Sequence, residues 1–111
     1  MKISSSNQSG IALINISGPM DLGHLHKFDE VIQKYRDEGV HNYLINMKDV
    51  TAINSSGISK ILNLHLRLEN EEGSLALAEL SPICSYVLEL TQLIDVFKIY
   101  ATQSEAMGQF S

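Results

Sequence analysis

Hydrophobic positions in this chain change period several times, and each change marks an element. The run Ile11-Ala12-Leu13-Ile14-Asn15-Ile16-Ser17 is apolar on both faces of an extended chain, which predicts a central strand. Ahead of it, Lys2 to Ser6 predicts a marginal edge strand. The turn-forming residues 7–10 join the two as a hairpin. Gly18-Pro19-Met20-Asp21 predicts a break, and the spacing then lengthens to that of a helix. Leu22, Leu25, Phe28, Ile32 and Tyr35 fall on one stripe, with Asp21 as the expected cap and Gly39 as the stop.

Val40 to Met47 reads as a buried strand, followed by a turn holding Asp49 and Thr51. Asn54-Ser55-Ser56-Gly57 then opens a Leu-rich helix. Ile58, Ile61, Leu62, His65 and Leu68 form its stripe, and Leu64 and Leu66 lie beside it. Ser74 to Leu80 predicts another strand. Ser81-Pro82 starts a helix with Ile83, Val87 and Leu90 on one face. Val96 to Tyr100 predicts a last strand, and Thr102-Gln103-Ser104-Glu105 is a capping box before a short helix with Ala106, Met107 and Phe110. Strands alternating with helices predict an α/β fold with right-handed crossovers, in one domain over residues 1–111. A flavodoxin-like doubly wound sheet is one version. No Gly-rich phosphate loop follows the early strand, which counts against nucleotide binding.

Composition narrows the function classes. A 44% hydrophobic content suffices for a core. A net charge of −5 with scattered basic residues disfavours nucleic acid and anionic membranes as partners. The single cysteine, Cys84, sits in an apolar context and reads as a buried structural thiol in a reducing cytoplasm. No apolar run is long enough to span a bilayer and no signal core opens the chain, so a cytoplasmic protein is expected.

The candidate chemistry is concentrated at the start of the Leu-rich helix. A hydroxyl on Ser55 there lies beside the positive end of the helix dipole, where an added phosphate is electrostatically favoured. Ser55 is therefore the leading phosphoacceptor, with Ser56 the neighbouring alternative and Ser59 one turn further on. The plain alternative is that Asn54, Ser55 and Ser56 only cap the helix. His24 and His26, two residues apart on a helix, point to different faces and serve a shared metal poorly, so they and His41 and His65 read as surface histidines. No metal site, cofactor or catalytic residue is assigned. No Gly-x-Ser-x-Gly is present, and catalysis is not expected.

The stretch Ile45 to Ile58, with its strand, turn and Asn54-Ser55-Ser56-Gly57 helix start, resembles the signature of the STAS family of anti-sigma-factor antagonists. Gly18 and Asp21, the run Leu80-Ser81-Pro82, residues 93–100 and Ser104-Glu105-Ala106 extend the likeness over nearly the whole chain. The resemblance implies a single domain with a mixed sheet of about four or five strands and about four helices mainly on one side. It implies a non-enzymatic protein that, unphosphorylated, binds a serine-kinase anti-sigma factor and so frees a sigma factor. Phosphorylation by that kinase falls on Ser55, and a PP2C-type phosphatase reverses it. Asp21, Thr51, Asn54, Ser55, Ser56 and Gly57 then form the partner contact, in a monomer or weak dimer. Asn54 stands where the family usually has Asp, which keeps the cap and removes a charge. Two alternatives are a constitutive scaffold, as in a stressosome or a lipid-transport assembly, and a small hydrolase or ligand-binding flavodoxin-like domain.

Overall fold

A computed structural model describes residues 1–21 and 23–110. The elements in order are β1 (Lys2–Gln8), β2 (Ile11–Met20), α1 (Leu25–Asp37), β3 (Asn42–Ile53), α2 (Ser55–Asn70), β4 (Ser74–Ala78), α3 (Pro82–Leu90), β5 (Lys98–Tyr100) and α4 (Gln103–Gly108). The strands form one five-stranded sheet in the order β1-β2-β3-β4-β5. The β1–β2 pair is antiparallel and the other three pairs are parallel. Each parallel crossover therefore steps one strand in the same direction. Right-handed crossovers that never reverse put α1, α2 and α3 on the same face of the sheet.

That face holds the larger core. Ile14, Ile16, Tyr43, Ile45, Met47, Leu75 and Leu77 from the sheet meet Phe28, Ile32 and Tyr35 of α1, Ile61, Leu64 and Leu68 of α2, and Cys84 and Leu88 of α3. On the opposite face a smaller cluster forms beneath α4. Ala76, Ala78, Leu13 and Leu44 pack there against Ala106 of α4, with Met107 and Phe110 beside it. The expected architecture, with helices mainly on one side, is the one observed.

Several expected boundaries move. β2 does not break at Gly18-Pro19; it runs on to Met20, and β3 runs beside it past Met47 to Ile53. The pairing survives because β3 carries extra residues, the register shifting between Asn15 and Ser17 and again between Gly18 and Pro19. Pro19 is tolerated because β1 pairs only as far as Ser17, so this stretch of β2 has a free edge. Asp49 and Thr51 consequently lie in a strand, not in a turn. β4 stops at Ala78, two residues early, where Glu79 takes φ +53.

Asp21 does not cap α1. The helix starts at Leu25 with His24 at the cap position and no side-chain cap. Asp21 instead holds His24, its Oδ1 lying 2.6 Å from Nδ1. The expected stripe residue Leu22 lies outside the described residues. Gly39, at φ +81, ends α1 as expected. The inward face of α3 is shifted: Cys84 and Leu88 point inward and Val87 is half-buried against the core, while Ile83 and Leu90 are exposed.

Cys84 is fully buried, and burial pushes its thiol pKa up. In folded protein, maleimide labelling of Cys84 should be at least 100-fold slower than in denatured protein, by the burial-limited access of such thiols. Equal rates would place the thiol at the surface.

Candidate functional site

The site lies where β3 hands over to α2. Ile53 is buried and fixes the last rung of the strand, and Asn54 follows in extended conformation with φ −111 and ψ −175. Its side-chain Oδ1 accepts from the Gly57 amide at 3.2 Å, and its carbonyl accepts from the Ile58 amide at 3.0 Å. Asn54 is thus the N-cap, and Ser55 is the first residue of the helix. The backbone amides of Ser55 and Ser56 have no hydrogen-bond partner among the described residues.

The end of β2 braces this corner. The Asn54 amide donates to the Met20 carbonyl at 3.4 Å. Gly57 packs directly on that carbonyl: a Cβ there would lie 2.8 Å from the Met20 oxygen and 3.0 Å from Ile53 Cγ1. A side chain at position 57 would push α2 off β2, which is why a residue without one sits at the third helical position. Replacing Asn54 with alanine removes the cap and should lower the unfolding free energy by about 1 kcal/mol. Urea denaturation checks this, and an unchanged midpoint would show that water satisfies the Gly57 amide equally well.

Ser55 is exposed and its hydroxyl takes no hydrogen bond among the described residues. Ser56 is half-buried, and Asn54, Thr51 and Ser59 are exposed. Ser55, Ser56, Ser59, Lys60 and Asn63 line one shallow depression against Leu25 of α1. Lys60 is held across it by Asp29 of α1, with Nζ 2.8 Å from Oδ2. Asn54, Ser55, Ser56 and Gly57 are therefore together. Asp21 is attached to the same corner through its neighbour Met20, but its carboxylate is engaged by His24. Thr51 lies on β3, unpaired at the bulge between Val50 and Ala52.

Met20 and Lys60 escaped the sequence reading. Lys60 had a usable signal, being one helical turn beyond Ser56. The Met20 carbonyl had none, since a backbone contact between distant segments leaves no trace in side-chain pattern.

The histidines divide. His24, His26 and His41 are at least partly exposed, but His65 is buried beneath Phe97, with ring centroids 5.3 Å apart and edge-on. Its Nε2 faces Glu69 at 3.2 Å, and Nδ1 has no hydrogen-bond partner among the described residues. His65 belongs to the core, which its place on the α2 stripe indicated better than its residue type. Among the described residues, no group of three His, Cys, Asp or Glu side chains is placed to hold a metal ion. No described helix is long and apolar enough to cross a membrane.

Comparison with known proteins converges on one kind of protein. The anti-sigma F factor antagonist of Paenibacillus polymyxa is 20% identical over 114 aligned positions, covering 98% of this chain and 94% of that protein. The crystal structure of an anti-sigma factor antagonist from Mycobacterium paratuberculosis superposes with a TM-score of 0.86 at 18% identity, covering 97% of this chain and 92% of that one. SpoIIAA, an anti-sigma factor antagonist, has been solved in two states. Its unphosphorylated form gives a TM-score of 0.83 at 20% identity, covering 98% and 96% of the two chains. The phosphorylated form from Bacillus gives 0.77 at 20% identity, covering 99% and 100%. The STAS domain model matches residues 2–106, from β1 into α4, with the exposed serine corner inside the matched span; the chain belongs to the STAS domain family.

Proposed function

We propose that this chain is an anti-sigma-factor antagonist, a regulatory binding protein and not an enzyme, switched by phosphorylation of Ser55. Unphosphorylated, it binds a serine-kinase anti-sigma factor in the cytoplasm and so releases a sigma factor. The kinase transfers the terminal phosphoryl group of its ATP to the Ser55 hydroxyl and the complex dissociates. A PP2C-type phosphatase hydrolyses the phosphoserine and restores binding. Asp21, Thr51, Asn54, Ser56 and Gly57 form the rim of the contact, with Ser56 the alternative acceptor.

The observation that carries this reading is the exposed Ser55 hydroxyl at the first residue of α2, which, like the two amides beside it, has no hydrogen-bond partner among the described residues. A phosphate there adds about −1.5 to −2 charges at the positive end of the helix dipole, so the fold accommodates it. Its effect is felt instead by a surface docked on Ser55, which must then desolvate a dianion. The names of the P. polymyxa relative and of SpoIIAA, the latter known with and without phosphate, point the same way.

One observation favours a second reading, a constitutive scaffold. The cap is Asn54, where the family motif usually has an acid, so the loop a kinase must read has lost a charge. Incubation with the cognate kinase and ATP, followed by mapping of phosphate by mass spectrometry, separates the two. The switch predicts one modified site, Ser55, absent in Ser55→Ala. An unmodified protein that still binds its partner would leave the scaffold.

A further inference from the structure

We infer that Asn54 is a site of self-modification: in the folded chain its side-chain amide is attacked by the backbone nitrogen of Ser55 and converted to a carboxylate, so that the neutral cap of α2 becomes an acidic one. The starting observation is how this asparagine differs from the others. The chain has seven, at positions 7, 15, 42, 46, 54, 63 and 70. Six are followed by Gln8, Ile16, Tyr43, Met47, Leu64 and Glu71, whose long or branched side chains crowd the nitrogen that would have to approach. Asn54 alone precedes a small residue, Ser55. The same six lie within strands or helices, whereas Asn54 stands between β3 and α2 and is exposed.

Three features of the corner favour the attack. The nucleophile is available, because the Ser55 amide has no hydrogen-bond partner among the described residues. It also lies at the positive end of the α2 dipole, which eases the loss of its proton. The approach is short. With ψ −175 at Asn54, the Ser55 nitrogen is gauche to the Asn54 Cβ, nearer to the eclipsed arrangement of a five-membered ring than helical or strand backbone would place it. Finally, the electrophile is polarised. Oδ1 accepts from the Gly57 amide at 3.2 Å, so charge developing on that oxygen meets a donor already in place.

The chemistry needs water alone. Hydroxide removes the Ser55 N–H proton, the nitrogen bonds to Cγ, the Cγ–Nδ2 bond breaks, and Nδ2 takes a proton from water and leaves as ammonia. Water then opens the cyclic imide, adding a hydroxyl to one carbonyl and returning a proton to the ring nitrogen. Nothing is oxidised or reduced. Cleavage between Cγ and nitrogen leaves aspartate at the cap. Cleavage on the other side leaves isoaspartate, whose backbone runs through the former side chain and cannot cap. The aspartate keeps an acceptor for the Gly57 amide and adds one negative charge at the positive end of the dipole, on a chain already at net −5. The corner thus carries a one-way change of charge beside Ser55, timed by the age of the chain. It does not depend on the phosphorylation of Ser55.

Peptide mapping by mass spectrometry, on purified protein aged at neutral and mildly alkaline pH, tests this. Asn54 should be the first asparagine converted, to aspartate and isoaspartate, at a rate proportional to hydroxide concentration. Conversion should be about tenfold faster in folded protein than in urea, the effect of one hydrogen bond to a charged oxygen. Ser55→Pro should abolish it by removing the attacking N–H. Proline is favoured at the first helical position, and the extended Asn54 is the conformation that a following proline requires, so the fold is kept. Ser55→Val, which keeps the N–H but crowds it, should slow conversion severalfold. Circular dichroism should show both variants folded as the wild type. An Asn54 that converts no faster in folded protein than in urea would overturn the proposal, since the cap would then give no activation. Undiminished conversion in folded Ser55→Pro would overturn it as well, by showing direct hydrolysis without a ring.

Discussion

Substituting Ser55 with aspartate will weaken binding of the cognate anti-sigma factor by about 100-fold, equivalent to roughly 3 kcal/mol, whereas alanine will leave it within about threefold. The asymmetry follows from the geometry. Ser55 is exposed and its hydroxyl is bonded to no described residue, so alanine removes only a solvated group. A carboxylate at the same place is tolerated by the free protein, because it sits beside the Ser55 and Ser56 amides, which no described residue bonds. On the docking proposed above, however, it must shed its water against a partner surface that accepts the neutral serine, and the desolvation penalty falls on the complex. Isothermal titration calorimetry measures the affinity, and denaturation should give stabilities within about 1 kcal/mol of wild type for both variants. Aspartate binding as tightly as serine would remove the electrostatic basis of the switch.

Gly73→Ala should be among the most destabilising single substitutions outside the core, costing about 2–4 kcal/mol. A Cβ at this position would lie 2.3 Å from the His41 carbonyl oxygen and 3.3 Å from Leu68 Cδ2. The oxygen cannot withdraw easily, since it accepts from the Ser74 amide at 3.0 Å and leads into the Asn42–Ser74 rung of the β3–β4 pair. The Gly73 amide is itself held by the Leu68 carbonyl at 2.7 Å. Relief of the clash therefore requires α2 and the start of β4 to move apart from β3. The thermal midpoint should fall by roughly 8–16 °C for a domain of this size. A fall of less than about 4 °C would mean that the turn relaxes without disturbing the sheet.

These two residues also mark what the chain makes legible. The serine at the helix start was readable because capping is local: the Asn54 side chain accepts from the Gly57 amide three residues on, and residue type fixes the outcome. Gly73 was readable as a turn but not as a contact. Its φ is not in the left-handed region; it is glycine because the carbonyl of His41, just ahead of β3, lies where a Cβ would be. Gly18-Pro19 misled for a related reason. The pair signals a break in an isolated strand, yet here β1 has already ended and the bulged β3 absorbs the irregularity. Asp21 misled because a carboxylate near a helix start has two options, and His24 took it.

By itself, the sequence determined the alternation of elements, the capped start of α2, the Thr102 cap of α4 and the exposed position of Ser55 at the start of α2, all set by interactions within about one helical turn. Only the tertiary structure decided which apolar face of α3 is inside, why β2 and β3 extend past their apparent ends, and that Met20 braces the serine corner. Those outcomes depend on which distant segment arrives opposite each residue, and a one-dimensional pattern of polarity carries no record of that.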